Sequence, residues 1–243
     1  MATTTPSWLD RTLWPAVALL GVCLWYFQVS GADIAIQDHL FDFEKGRWLV
    51  DKEAWWPTFW FHKLPKWLII AFGVFLLLRV YVAPRWKKWA WFRPAPLAPV
   101  WVVVLCLAIT PIVVAILKAN THVFCPWDVD RYGGKEIYLK TWTGYDDTNR
   151  PVKCGNCWPA GHASGGFALV AVASLALTRR GQVLGTLAGL TVGSIMGVYQ
   201  MVKGAHYLSD TLVTLLLAWI IHLLLRKLLR LHDSSKKDAA PAV

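Results

Sequence analysis

Long uninterrupted apolar runs limit what this chain can fold into more than any other feature of its sequence. A helix needs about 20 apolar residues to cross the hydrocarbon core of a bilayer, and it satisfies its backbone hydrogen bonds internally. Six runs come close to this length, at about 13–29, 67–83, 95–117, 163–178, 183–202 and 207–225. The sequence therefore predicts an all-α integral membrane protein with six transmembrane helices, in one domain over residues 1–230.

The basic residues predict how these helices are oriented. The chain has a net charge of +10, which is also typical of proteins that bind nucleic acid. Here, however, Lys and Arg collect in short segments at the ends of apolar runs, at 79–94, 179–181 and 226–243. Because basic short loops stay in the cytoplasm, we expect cytoplasmic N- and C-termini, a flexible cytoplasmic tail at 231–243, the lipid bilayer as partner and no nucleic acid.

The two long outer segments differ in composition. The first, 30–66, contains the aromatic cluster Trp55, Trp56, Trp60 and Phe61, which is typical of the interface between lipid headgroups and hydrocarbon. The second, the periplasmic loop 119–161, is the longest polar segment, and its aromatic residues indicate an ordered loop. Further along, glycines recur every four residues from Gly185 to Gly197, which predicts close packing of the fifth helix against its neighbours.

Ionisable side chains fall at the outer ends of four predicted spans. Lys118 ends the third span, His162 begins the fourth, Lys203 ends the fifth, and His206 and Asp210 begin the sixth. Ionisable residues at membrane depth are costly and usually functional. The topology therefore predicts a site on the periplasmic face, where these five side chains meet.

The two histidines suit a nucleophile and a proton donor. His206 and Asp210 are four residues apart, so on a helix they lie on one face. A carboxylate that holds one imidazole nitrogen leaves the other free to attack. His162, from another helix, is suited to protonate a leaving oxygen.

The remaining polar groups suit a bound phosphate. Lys118 and Lys203 supply positive charge, and the amide groups behind Gly161 at the start of the fourth helix add an anion site. Together with the histidines, these groups predict phosphoryl transfer through a phosphohistidine, without a metal or another cofactor.

Three segments carry a resemblance to a known family. They are Lys118 followed by six residues and Cys125-Pro126; Pro159-Ala160-Gly161-His162; and Tyr199-Gln200 followed by five residues, His206, three residues and Asp210. The pattern resembles the type 2 phosphatidic acid phosphatase superfamily. That resemblance implies a six-helix membrane fold, with His206 as nucleophile, Asp210 as its partner and His162 as general acid.

The chain's departures from the family pattern include both arginines and the serine of the middle motif. Cys125 and Gln200 stand where the family has arginines, and Ala160 stands where it has a serine. Arginine is the usual bidentate ligand of phosphate. The candidates to replace it are Lys203, one helical turn beyond Gln200, and the outer-loop residues Arg131, Arg150 and Lys153. Gln200 itself is counted among the predicted phosphate-binding residues.

The cysteines of the outer loop leave three interpretations open. Thiols on the outer face of a bacterial inner membrane are oxidised, so a disulfide is permitted there. A bond between Cys125 and Cys157 would tie the first motif to the second and close a loop of about 33 residues. The alternatives are a disulfide between Cys154 and Cys157 and a metal site at the same C-x-x-C sequence. Of the three, we favour the first.

These observations together predict an enzyme of the bacterial inner membrane that acts on a lipid. We expect a metal-independent phosphatase that removes phosphate from a membrane lipid phosphate or pyrophosphate at the periplasmic face. Undecaprenyl pyrophosphate, lipid A and phosphatidylglycerol phosphate are the substrates that the resemblance suggests. Two alternatives remain open: a lipid phosphotransferase with the same intermediate, and a non-catalytic protein that binds or transports lipid phosphates.

Overall fold

The computed structural model describes residues 8–82, 97–143 and 155–229, and it is mostly helical. Its helices in chain order are α1 (Trp8–Val29), α2 (Ala32–Leu40), α3 (Trp55–Thr58), α4 (Leu64–Val82), α5 (Leu97–Asn120), α6 (Gly161–Ala168), α7 (Arg179–Val202) and α8 (Leu208–Leu228). A short antiparallel hairpin of β1 (Phe41–Asp42) and β2 (Arg47–Trp48) follows α2. The predicted tail at 231–243, Arg150, Lys153 and Cys154 lie outside the described residues.

Five helices in the described part of the chain are long and apolar enough to cross a membrane. They are Arg11–Val29, Trp55–Tyr81, Leu97–Asn120, Arg179–Val202 and Leu208–Leu228. Their outward faces carry large apolar side chains, as a lipid environment requires. The prediction of an all-α membrane protein is therefore confirmed.

The predicted fourth span is shorter than the others. It consists of α6 and a 3₁₀ segment, Leu169–Leu175, which ends before the expected boundary near residue 178. This apolar helix, Gly161–Leu175, is below the length of the five spans. The count of six spans depends on it and stays a prediction.

The helix that contains the second predicted span begins earlier than the sequence indicated. The aromatic segment was expected in an outer loop, but α3 continues through a π-helical turn, Phe59–Lys63, directly into α4. The helix therefore begins before the predicted span, and the boundary of the span near residue 67 stays a prediction. The turn also brings His62 to the N-terminal end of α4.

The glycine series of α7 allows the close helix packing that its spacing predicted. A Cβ atom added at Gly185 would lie 2.7 Å from the backbone nitrogen of Ala173, and one added at Gly193 would overlap the ring of Phe167. Both contacted residues belong to the α6 and 3₁₀ segment. The short fourth helix also contacts α4, α5 and α8, so other helices surround much of it.

The connection from α7 to α8 is a tight helix end. Gly204 has a left-handed φ of 76°, the amide of Gly204 donates to the carbonyl of Met201, and the amide of Ala205 donates to the carbonyl of Gln200. This is the Schellman pattern, in which glycine follows the last helical residue. As a result, only Gly204 and Ala205 separate the C-cap residue of α7, Lys203, from His206, just before α8 begins.

Candidate active site

His206 and Asp210 form a buried pair at the start of α8. His206 Nδ1 lies 2.9 Å from Asp210 Oδ2, and the two side chains are 1% and 0% exposed. The same carboxylate oxygen accepts the backbone amide of Tyr207 at 3.1 Å, so Asp210 also caps its own helix. When Nδ1 donates its proton to Asp210, Nε2 of His206 keeps a free lone pair.

His162 faces that lone pair on Nε2 of His206. Its Nδ1 is 3.1 Å from Nε2 of His206, and their ring centroids are 5.3 Å apart. The start of α6 is fixed to α8 by two hydrogen bonds of Ala160, whose amide donates to the carbonyl of Asp210 and whose carbonyl accepts from Thr214 Oγ1. The structure thus brings all three predicted catalytic side chains together.

Lys118 and Lys203 approach the pair from α5 and from the end of α7. The side chain of Lys118 runs beside Gly161, where an added Cβ would lie 3.8 Å from its Nζ. Lys203 Nζ lies 5.3 Å from the ring centre of Tyr199 and 5.7 Å from that of Trp127. Burial lowers the pKa of Lys203 below its ordinary value.

The pKa of His206 is also lowered. Burial is the main cause, since it penalises the imidazolium form, and the ammonium groups of Lys118 and Lys203 act in the same direction. The neutral form of His206, which has a free lone pair on one ring nitrogen, therefore persists to lower pH than in a free histidine.

In the part of the chain that the structure describes, the side chains of two predicted phosphate-binding residues, Arg131 and Gln200, form no hydrogen bond with the histidine pair. Arg131 donates from Nε and Nη2 to the carboxylate of Asp38, at 2.8 and 2.7 Å, and its guanidinium lies over Phe43. Because Asp38 of α2 holds the guanidinium of Arg131, we do not place Arg131 in the site.

Gln200 is buried, and its side-chain amide has no hydrogen-bond partner among the residues that the structure describes. It contributes through its backbone carbonyl, in the turn after α7.

A disulfide between Cys125 and Cys157 borders the histidine pair. The sulfur of Cys157 lies 3.5 Å from Nδ1 of His206 and 3.5 Å from Oδ2 of Asp210. This sulfur, His206 and Asp210 have the spacing of a metal site. A disulfide sulfur is not a thiolate, however, so this donor set does not suit a metal. Bonded to Cys125, Cys157 is also not available to Cys154.

The sequence analysis missed His62. Its ring centre is 4.6 Å from that of His162, with the two planes at 75°. His62 and His162 line a cavity of about 490 Å³ between α4, α5 and α6, whose walls include Ile69, Leu107 and Pro111. No spacing rule connects His62 to the motifs, because it reaches the site through the π-helical turn before α4.

The disulfide gives a prediction for stability and activity. Replacing Cys125 and Cys157 with serine removes a long-range crosslink, so the protein is expected to lose about 2–4 kcal/mol of stability. Activity is expected to fall as well, because Cys157 supports His206 and Asp210. Thermal unfolding in detergent and phosphate release measure the two effects.

Cys23→Ser is the control for this experiment, since Cys23 is a free cysteine in α1. An unfolding temperature equal to that of wild type in the double variant would contradict the prediction, provided that mass spectrometry finds the disulfide in the wild type.

Comparison with known protein families gives one match. The PAP2 superfamily matches residues 99–232, which is more than half of the chain and includes Lys118, His162, His206 and Asp210. No curated protein and no solved structure matches the chain. The resemblance seen in the three motifs is therefore confirmed, and the chain belongs to the PAP2 superfamily, the type 2 phosphatidic acid phosphatases.

Proposed function

We propose that this protein is a phosphatase that releases phosphate from a membrane lipid phosphate or pyrophosphate through a phosphohistidine at His206. Membership of the PAP2 superfamily supports a phosphatase acting on lipid phosphates. The observation that carries the proposal is the hydrogen-bonded series from His162 through His206 to Asp210, with distances of 3.1 and 2.9 Å.

In the first step, His206 acts as the nucleophile. Asp210 holds the proton on Nδ1, so Nε2 attacks phosphorus and forms an N–P bond while the P–O bond to the lipid breaks. His162 donates a proton to the leaving oxygen. In the second step, His162 takes a proton from water, the resulting hydroxide attacks phosphorus, and inorganic phosphate leaves His206.

Substrate has to separate the two histidine rings. A phosphoryl group between the nucleophile and the acid needs more room than the 3.1 Å that now joins the two nitrogens. His206 is buried and held by Asp210, whereas His162 is partly exposed and lines the cavity with His62. We therefore infer that His162 moves and that His206 stays in place.

Lys118 and Lys203 neutralise the charge of the phosphoryl group. Cys125 and Gln200 stand where the family has arginines. Among the described residues, Lys118 and Lys203 are the cations whose charge acts on His206. In a buried site their charge interacts with the phosphoryl oxygens more strongly than in water.

The cavity beside His162 favours a lipid over a soluble ester. It lies between membrane-spanning helices, most of its wall is apolar, and Lys66 joins His62 at its edge. A hydrocarbon chain fits such a wall, while the phosphate reaches His162. Undecaprenyl pyrophosphate, lipid A and phosphatidylglycerol phosphate all have this combination. We place the site on the periplasmic face of the bacterial inner membrane, from the distribution of basic residues.

The main test compares His206→Ala with wild type on a set of lipid phosphates and pyrophosphates in detergent. Wild type is expected to release phosphate, and the variant to lose activity by at least about 10³-fold, because the proposed nucleophile is removed. Mass spectrometry of quenched wild type should find phosphate on His206. His39→Ala, which changes an exposed histidine on α2, is the control and should keep wild-type activity.

Each other result has a clear meaning. Release by His206→Ala at the wild-type rate would reject the phosphohistidine route. Binding of lipid phosphates without release by wild type would make the protein a binding or transport component. Transfer of the phosphate to an added acceptor lipid, in preference to water, would make it a phosphotransferase.

A second prediction tests the cavity. Gly165 lines it, and a Cβ there would meet Ile69 at an ordinary distance of 3.7 Å, so Gly165→Leu is expected to fill the cavity while the helix stays intact. KM for a long-chain lipid phosphate should rise about tenfold or more, with little change for a short-chain phosphate. Gly21→Leu, in a helix where nothing lies within 4 Å, is the control. Equal effects on both substrates would contradict a lipid-binding cavity.

A third prediction concerns pH. Attack requires neutral His206, and its pKa is lowered, so the acidic limb of kcat/KM should have its midpoint below about 6.5, the ordinary value for histidine. Lys203→Met removes one of the charges that lower this pKa, so its acidic limb should move to higher pH. The comparison uses one substrate throughout, which cancels the ionisation of the substrate itself. Identical limbs in the two proteins would contradict the assignment.

A further inference from the structure

The helix α2 reaches the catalytic turn with two buried polar side chains. Gln37 Nε2 donates to the carbonyl of His206 at 2.7 Å, and Asp33 Oδ1 accepts the backbone amide of Ser209 at 2.9 Å. Asp33 and Gln37 are four residues apart, so they lie on one face of α2. The two bonds hold the first and last residues of the segment 206–209.

Both of these hydrogen bonds are buried, unlike a surface contact. Gln37 is fully buried and Asp33 is 6% exposed, so both side chains were removed from water to reach the turn. Ser209 lies in the first turn of α8, where backbone amides lack partners within the helix. Leaving such a group unpaired in a buried place destabilises the folded state. Asp33 satisfies it from a different helix.

Other parts of the same N-terminal region contact the end of α7. The amide of Val50 donates to the carbonyl of Val202 at 3.2 Å, and the indole of Trp48 packs on Gly204, where a Cβ would overlap it. The segment 202–209, which contains both Lys203 and His206, is therefore held from outside along its length. The four residues that make these contacts, Asp33, Gln37, Trp48 and Val50, lie before residue 99, where the family match begins.

We propose that α2 is a positioning element for catalysis, in which Asp33 and Gln37 fix the turn 206–209 and thereby the direction in which His206 Nε2 points. This inference rests on the proposed phosphatase function. Neither side chain touches the reacting atoms, so both are positioning residues. Displacement of a nucleophile by about 1 Å costs on the order of 10²-fold in rate, which sets the size of the expected effect.

Hydrogen bonding, rather than negative charge, is the property of Asp33 that matters for this role. Burial and the nearby Asp210 carboxylate raise the pKa of Asp33 to about 7. A large fraction of Asp33 is thus uncharged near neutral pH, and its carbonyl oxygen still accepts the Ser209 amide. An asparagine keeps such an oxygen, and an alanine does not.

The test measures kinetics of four variants of the full-length protein. Asp33→Ala and Gln37→Met are each expected to lower kcat about 10- to 100-fold with KM changed less than about threefold, because the phosphate and lipid contacts are retained. Asp33→Asn is expected to restore kcat to within about threefold of wild type. Gln28→Met is the matched control for Gln37, since Gln28 contacts Thr143 and Trp142 and not the turn.

Hydrogen exchange supplies a readout that does not depend on activity. Amides of peptides that cover 204–211 should exchange faster in Asp33→Ala and Gln37→Met than in wild type, Asp33→Asn and Gln28→Met. Unchanged exchange and unchanged kcat in the first two variants would overturn the proposal. An equal loss of kcat in Asp33→Asn and Asp33→Ala would overturn it for Asp33.

Failure of the proposed function gives a different result. A wild type that releases no phosphate from any lipid phosphate would reject the phosphatase, and with it the catalytic role of α2. Faster exchange in Asp33→Ala and Gln37→Met would then still show that α2 holds the turn. A wild type that is active, with variants that keep its kcat, rejects the positioning role alone.

Discussion

The bond between His206 and Asp210 is the interaction on which the geometry of the candidate site depends. A carboxylate that is fully buried loses its hydration, and this loss is compensated only when hydrogen bonds replace the water. Asp210 obtains them from His206 and from the amide of Tyr207. The second bond requires α8 to begin at this point, and the first requires the imidazole to stay in one orientation. Helix capping and orientation of the His206 imidazole are thus achieved by one oxygen atom.

Much of this site could be predicted from local spacing. The four-residue interval from His206 to Asp210 determines that they share a helix face, and Gly204 in Lys-Gly-Ala-His is the usual signal for a helix end. The alternation of spans then places Lys118, His162, Lys203 and His206 at one end of four helices. Spacing could not show which cations face the histidines: Arg131 is close to the motifs in sequence, yet Asp38 binds it.

The contributions that the sequence analysis missed come from the region before the family match. His62 depends on a π-helical turn that shifts the register of the helix before α4, and Asp33 and Gln37 depend on how α2 packs on the α7–α8 turn. Periodicity predicts a face of a helix but not the partner of that face. The series of glycines in α7 is an exception. Small residues allow a neighbouring helix to pack closely, and α7 packs closely against α6 and the 3₁₀ segment that follows it.

The replacement of an arginine by Cys125 changes the electrostatics of the site as well as its shape. A guanidinium stays charged at every physiological pH, whereas the disulfide that Cys125 forms is neutral and contacts His206 and Asp210 through Cys157. The positive charge then rests on lysines, and burial lowers the pKa of Lys203. A bound phosphate dianion opposes this effect, because it favours the ammonium form. In the proposed mechanism, a bound phosphate and the ammonium group of Lys203 therefore each favour the charged form of the other.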